Sequence, residues 1–383
     1  MSESLNVAIA AGGTAGHINP ALALAEELKH RGHRVIFIGQ KTKLEGTLVP
    51  EAGFDFKSIT VTGIDRARPW TALTALINMH KAEQDLDAYF SGHGRPDVAV
   101  GFGAYVEMPL LRWCTKHKIP YVIHEQNSVP GLANKTEAAH AASVCVSLPV
   151  ATKVFKEHIG PQTAVVVTGN PVRQSVIQAS RARGRASFGI PEDATMLLVF
   201  GGSLGARHIN EAVVALQEKL LSRPNLYVVH STGKDLVDEV VAALPHAGVK
   251  NVRWQVLPYI ENMGEALAAA DVVVSRAGAS SIAEIAALSV PSLLVPYPLA
   301  TENHQTTNAH YLVDAGAAVL VPDDEVETNT FSAQLFNILD NPDVRQKMVE
   351  AAKGLGQDRA ASAVADQVES AATLGEMAPK SRN

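Results

Sequence analysis

LNVAIAAGGTAGHINP, residues 5–20, decides the fold. Residues 5–11 are almost all apolar and read as a short buried strand. Gly12 to His17 form a glycine-rich turn. Asn19 as N-cap and Pro20 as first helical residue predict a helix over 20–30, with Gly32 just past its end. A second strand follows over 34–38, which completes a strand–turn–helix–strand unit. The same order returns downstream: a strand over 196–200 (MLLVF), the turn GGSLGA over 201–206, a helix expected over 209–221 and a strand over 227–230. Further strands are expected over 98–100, 121–124, 165–168, 272–275 and 292–295. Near-continuous apolar strands separated by helices predict parallel sheets covered on both faces. The expected architecture is α/β: two Rossmann-like, doubly wound domains facing across a cleft, with ligands at the carboxyl ends of the strands. The expected boundaries are 1–162 and 163–345, with a last helix in 346–383 packing back towards the first domain, followed by a tail.

A length of 383 residues suits two domains, and 46% hydrophobic with 19% charged residues describes a globular chain. Cys114 and Cys145 match no zinc or redox spacing and read as reduced, buried thiols, as in a cytosolic protein. The first residues, MSESLNVAIAAGG, do not read as a signal peptide. No apolar run reaches the ~18 residues of a membrane span; the longest, 288–300, is broken by Pro291, Pro296 and Pro298. Residues 1–160 carry 16 Lys+Arg against 15 Asp+Glu, which leaves 17 of 33 against 24 of 39 for the remainder. Neither half is basic enough to favour nucleic acid. The first half approaches an anionic surface more easily than the second.

Both glycine turns offer backbone N–H groups and a helix N-terminus at the mouth of a sheet, a geometry that attracts phosphate. Two turns favour two phosphate-bearing ligands; the plainer reading of each is a tight connection without a ligand. His17 closes the first turn, where it can act as general base on an attacking hydroxyl or simply bond the loop or a phosphate. His124, Glu125, Gln126 and Asn127 follow a buried strand, and four polar side chains are costly to bury unless they bind something; the plainer reading is a polar turn with structural hydrogen bonds. Asn127 and Gln126 suit sugar hydroxyls, and Glu125 can accept a proton. Arg276 to Glu284 open another helix suited to phosphate, with Glu284 placed to hold ribose hydroxyls or to complement the helix dipole. Glu302, Asn303, His304 and Gln305 precede a further helix, as sugar contacts or as caps. Asp85-Leu86-Asp87 matches D-x-D but reads as a solvated helical face, and no metal-ligand cluster is seen.

The motifs GGTAGHINPALALAEEL, GFGAYV, HEQN, TGNPVR, GGSLGA, RAGASSIAEI and NHQTTNA, in this order, resemble the MurG family of bacterial N-acetylglucosaminyltransferases over about residues 5–350. That resemblance implies a GT-B fold and an inverting hexosyltransferase that uses no cofactor. The implied donor is UDP-N-acetylglucosamine. The implied acceptor is the muramoyl 4-hydroxyl of undecaprenyl-pyrophosphoryl-muramoyl-pentapeptide, lipid I, which becomes lipid II in peptidoglycan synthesis. By motif position it implies donor contacts from Thr14, Ala15, Gly16 and Asn127. Arg173 and Ser203 would face the nucleotide or its phosphates, and Ile260 would hold the uracil through its backbone. Ala279, Ser280, Ser281, Ile282, Ala283 and Glu284 would hold the α-phosphate and ribose, and His304 with Gln305 the sugar. His17, Tyr105 and Glu125 would lie towards the acceptor. Ala15 and Ala104 stand where the family usually has Gly, and Leu204 where it usually has Gln. An alanine is tolerable there if its φ is negative and strained if it is positive.

In the expected single displacement His17 is the first choice of base and Glu125 the second. Helix N-termini at Ser203 and Ala279, with Arg276 or Arg173, stabilise the departing diphosphate. A polyprenyl acceptor demands a membrane surface, so the chain is expected to be peripheral on the cytoplasmic face. Residues 66–81 combine Arg66, Arg68 and Lys81 with Trp70, Leu73, Leu76, Ile77 and Met79, an amphipathic stretch suited to an interface or to an ordinary core. Leu110, Leu111 and Trp113 are expected to extend it. The competing readings are another UDP-sugar glycolipid transferase, a UDP-sugar epimerase of the same fold, and a non-catalytic nucleotide-binding module. A nicotinamide dehydrogenase is disfavoured, because Ile38 leads to Gly39-Gln40 and not to an acidic residue.

Overall fold

The computed structural model describes residues 3–63, 71–202, 204–244 and 253–377. The chain divides into two compact units, Met1–Arg173 with Arg359–Asn383, and Gln174–Asp358. The first unit is built on a parallel sheet of β1 (Asn6–Ala10), β2 (Arg34–Gly39), β3 (Asp55–Ser58), β4 (Val98–Gly101), β5 (Tyr121–Glu125), β6 (Ser143–Val146) and β7 (Ala164–Val167). Its order is β3-β2-β1-β4-β5-β6-β7. The second unit's sheet holds β8 (Thr195–Phe200), β9 (Leu226–Ser231), β10 (Trp254–Leu257), β11 (Val272–Ser275), β12 (Ser292–Leu294) and β13 (Ala318–Leu320), in the order β10-β9-β8-β11-β12-β13. In each sheet the order reverses beside its first strand: Ala10 pairs with Ile38 on one side and with Gly101 on the other. The connections after β1 and β4 therefore part, as do those after β8 and β11, and each pair leaves a crevice at the strand ends. Both glycine turns lie at such a switch point.

Three expectations change. The chain leaves the first unit at 173/174 and not at 162/163, because β7 pairs along β6, from Ser143↔Ala164 to Val146↔Val167, and so belongs to the first sheet. The helix expected over 20–30 begins earlier, as Ala15–His30, with Thr14 as its extended N-cap and Pro20 inside. Its buried stripe of Ile18, Ala21, Leu22, Ala25 and Leu28 starts ahead of Pro20. Burying Ile18 contributes about 2 kcal/mol, which offsets much of what Pro20 costs inside the helix. The expected last helix is two helices, Pro342–Ala352 in the second unit and Ala360–Met377 in the first, separated at Gly354 (φ +87). Val364, Ala365 and Val368 of the latter share a core with Val7, Ile9 and Ile18. Arg31 fixes the same helix through Asp366, Glu369 and Ser362.

Candidate functional site

In the first unit the bend after β1 carries Gly12, Gly13 (φ +85) and Thr14, and places His17 in the first turn of the helix. The Thr14 hydroxyl meets His17 Nδ1 at 3.0 Å. With Nδ1–H donating to Thr14, the lone pair is left on Nε2. The other edge of the ring faces the bend after β4: a Cβ built on Gly103 would lie 3.3 Å from His17 Cδ2 and 3.4 Å from Nε2. Gly103 (φ +86) thus gives the imidazole its place, and Ala104 follows in the left-handed region at φ 66. A non-glycine residue there costs roughly 1–2 kcal/mol, whereas Ala15 is an ordinary helical residue. The bend is held from beneath by Glu107, which is fully buried and accepts the Gly103 N–H. Burial, with Glu125 and Glu137 nearby, pushes the Glu107 carboxyl well above the usual carboxylate range. Tyr105, just beyond, is exposed.

Of the four polar residues that open the loop after β5, three turn inward. His124 is fully buried, holds the Gly169 carbonyl through Nε2 and meets the Gln126 amide at Nδ1; burial pushes its pKa down to about 4. Gln126 also donates to the Phe102 carbonyl. Glu125 is 2% exposed. Its Oε1 accepts from the backbone N–H and side-chain amide of Asn127 (2.9 and 3.4 Å), and its Oε2 from Gly131 N–H (3.0 Å) and Asn134 Nδ2 (2.8 Å). Burial raises its pKa, and the same donors oppose that shift. Four donors from one loop converge on this carboxylate, so Glu125 holds the loop in its conformation. Asn127 alone of the four stays half-exposed.

Arg173 bonds Glu26 through Nε (2.9 Å) and Nη2 (2.7 Å) inside the first unit. Leu110, Leu111 and Trp113 are core residues and not part of a surface patch, because the helix Met108–His117 turns its apolar face to the sheet. Leu73, Leu76 and Ile77, one face of the helix Thr71–His93, are exposed. Arg66, Arg68 and Trp70 lie outside the described residues. Asp87 accepts the Trp113 indole N–H, which ties the D-x-D stretch to the neighbouring helix.

In the second unit the bend after β8 carries Gly201, Gly202 (φ +88), Leu204 and Gly205 (φ +78), and leads into the helix Arg207–Ala215; Ser203 lies outside the described residues. A Cβ on Gly205 would stand 1.9 Å from the Thr232 carbonyl oxygen, so this bend interlocks with the loop after β9. Behind it Asn210 donates to that carbonyl (3.0 Å) and accepts from His230 Nε2 (3.0 Å). Burial pushes the His230 pKa down to about 3. The folded state then binds fewer protons than the unfolded chain. The second unit is therefore expected to keep full stability above about pH 6.5 and to lose up to about 4 kcal/mol as pH falls towards 3. Urea unfolding at pH 7 and pH 4.5 checks this, and His230→Gln should flatten the loss.

After β11, Gly278 caps the helix Ala279–Ala287 without a side-chain bond. Ala279, Ser280, Ser281 and Glu284 are half-buried, while Ile282 and Ala283 pack inward. Ile260 is buried at the edge of a cavity of about 440 Å³ shared with Phe188, Leu257, Tyr259 and Asn262. Burial and the carboxylates of Glu284 and Glu261 raise the Tyr259 pKa, which puts Glu284 in its neighbourhood. Arg276 Nη1 pairs with Asp323, which also bonds His208 Nδ1 (2.7 Å), and donates to the carbonyls of Val295 and Pro296. Gln305 Oε1 accepts N–H bonds from Ala277 (3.2 Å) and Tyr297 (2.9 Å), joining the loops after β11 and β12. That commits its Nε2 to donate. Glu302 and Asn303 precede His304 with φ of 52 and 53; paired left-handed residues at a loop tip are a cost that functional sites tend to retain.

Glu45, Glu107, Asn134 and Asp323 were not anticipated. Glu45 and Asp323 lie far along the chain from the turn or arginine they hold, Glu107 stands just ahead of a helix, and Asn134 lies on a helix that reads as an ordinary one. Their only signal was an acid or amide in a segment that the strand order brings to a switch point.

Residues 7–146 match the glycosyltransferase family 28 N-terminal domain and residues 196–367 the family's C-terminal domain. A protein of Halothermothrix orenii named UDP-N-acetylglucosamine--N-acetylmuramyl-(pentapeptide) pyrophosphoryl-undecaprenol N-acetylglucosamine transferase is 36% identical over 94% of this chain and 97% of its own length. The protein of the same name from Carboxydothermus hydrogenoformans is 39% identical over 92% and 94%. The crystal structure of Acinetobacter baumannii MurG superposes with a TM-score of 0.72 at 28% identity, over 96% of this chain and 100% of that one. The chain therefore belongs to glycosyltransferase family 28 and, within it, to the MurG family of GT-B fold.

Proposed function

We propose that this enzyme transfers N-acetylglucosamine from UDP-N-acetylglucosamine to the muramoyl 4-hydroxyl of lipid I in peptidoglycan synthesis. The acceptor oxygen attacks the sugar C1 as the bond to UDP breaks, so the anomeric centre inverts. The hydroxyl proton goes to His17 Nε2. The observation that carries this reading is the imidazole held by Thr14 against Gly103 at the first switch point. Glu125 acts by shaping the loop that presents Asn127. Tyr105 lies towards the acceptor, and Thr14, Ala15, Gly16 and Asn127 contact the donor sugar.

The second unit holds the nucleotide: the backbone of Ile260 takes the uracil, Ala279 to Ala283 the α-phosphate and Glu284 the ribose. His304 and the side-chain amide of Gln305 take the sugar. Arg276 and Arg173 are already paired with Asp323 and Glu26, so stabilisation of the departing UDP falls to backbone N–H groups around Ser203 and Ala279. A panel of donors tests the assignment. UDP-N-acetylglucosamine should be used with a kcat/KM at least about 100-fold above UDP-galactose, and equal use of the two would refute it.

No helix among the described residues is long and apolar enough to cross a membrane. The acceptor is reached instead from the cytoplasmic surface of the bilayer, with Leu73, Leu76 and Ile77 entering the interface. Replacing Leu73 and Leu76 together by Ser should weaken binding to anionic vesicles at least about tenfold. The thermal midpoint should stay in place, since both side chains are exposed.

A further inference from the structure

Asp323 follows β13, the edge strand of the second sheet, and is 8% exposed. Its two oxygens serve different loops. Oδ1 pairs with Nη1 of Arg276, the residue after β11, and Oδ2 accepts from Nδ1 of His208 (2.7 Å), in the first turn of the helix after β8. The same Nη1 donates to the Val295 (3.2 Å) and Pro296 (3.1 Å) carbonyls after β12, and the guanidinium lies over the Tyr297 ring. Strands β8, β11, β12 and β13 are neighbours in that order. One carboxylate at the sheet edge therefore ties together the loops at the carboxyl ends of four strands. The two arms are unlike. The Arg276 side chain is 11% exposed, and its pairing offsets the cost of burying the Asp323 charge. The His208 side chain is 55% exposed, where such a contact contributes little to stability. What this arm does is orient. It holds the helix Arg207–Ala215 from the β11 side, while Asn210 of the same helix holds the Thr232 carbonyl (3.0 Å) on the β9 side.

We propose that His208 is a positioning residue for the diphosphate of the donor: anchored on Asp323, it sets the helix start after β8 against the helix start after β11, which the same carboxylate holds through Arg276. The inference rests on the transferase reading and deepens it, because that reading gives the phosphates of UDP to backbone N–H groups at these two places. Neither N-cap, Ala206 nor Gly278, has a side chain that can accept a first-turn N–H. Where those donors point is thus decided by how the two helices stand. A diphosphate has oxygens at a fixed separation, and hydrogen bonds to it weaken steeply once their angles open. His208 Nδ1 must carry the proton, since a carboxylate only accepts, so the contact with Asp323 is a directed bond and fixes the ring as well as the helix. The nucleoside is assigned to Ile260 and Glu284, and neither lies on the helix that His208 holds. A loss at His208 should therefore fall on the phosphate end of the ligand alone.

Calorimetric titration of the full-length enzyme with UDP and with uridine tests this. In His208→Ala the Kd for UDP should rise about fivefold, while the Kd for uridine stays within about twofold of the wild type. His208→Asn puts its Nδ2 donor where Nδ1 now stands, and should bring the UDP Kd back to within about twofold of the wild type. The thermal midpoint should hold in both variants, because the side chain is largely exposed. A loss shared equally by UDP and uridine, or one that the Asn variant does not repair, overturns the proposal. UDP binding that is the same with and without His208 overturns it as well and leaves the transferase reading standing. A wild type that binds no UDP overturns that reading, and this proposal with it.

Discussion

His17→Ala is expected to lower kcat by about two to four orders of magnitude while leaving the Kd for UDP within about twofold. The imidazole sits at the bend after β1 with one nitrogen on Thr14 and its other edge on Gly103, and the nucleotide is assigned to the second unit. Loss of the base therefore falls on the chemical step and not on donor binding. Steady-state kinetics with UDP-N-acetylglucosamine, together with calorimetric titration of UDP, separate the two. Thr14→Val should reproduce part of the loss, because it frees the ring to rotate without removing it. A kcat near the wild-type value in His17→Ala would transfer the role of base to another group.

The second large effect is on stability. Glu125→Ala should destabilise the first unit by about 3 kcal/mol, since it leaves a buried cavity and strands donors of Asn127, Gly131 and the buried Asn134 that now converge on one carboxylate. Glu125→Gln should cost less but not nothing, because its own amide hydrogens would face those donors. Urea unfolding measures both. The pH profile of the Gln variant separates scaffold from base: its acidic limb should persist, as it belongs to another group, whereas a flattened limb would make Glu125 the titrating base.

The parallel sheets were legible because β1, β4, β5, β8 and β11 are buried on both faces and therefore read as apolar runs. The strands that went unread are those whose composition hides them: β3 is DFKS at a sheet edge, β13 is only AVL, β6 alternates as SVCV, and β10 begins Trp-Gln. Edge position and short length weaken periodicity before they weaken pairing. Helix starts were misplaced where two capping signals compete, as with Thr14 against Asn19 and Pro20, and the buried stripe decided between them.

The residue types of the candidate site were visible in its motifs, but the direction in which a side chain turns was not. His124, Glu125 and Gln126 have the composition of a binding loop and the burial of a scaffold. Arg173 and Arg276 resemble phosphate clamps, yet they are matched by Glu26 and Asp323, partners roughly 50 to 150 residues away in the chain. The αL conformation of Ala104 could not be read from composition, because alanine carries no mark of a positive φ.

The most direct test is to supply labelled UDP-N-acetylglucosamine with a short-chain lipid I analogue and to follow both label and UDP. The account predicts one UDP released per labelled disaccharide lipid, with the new linkage β and so inverted relative to the donor. Label recovered as free sugar or as an epimerised nucleotide sugar, with the acceptor unchanged, would contradict it.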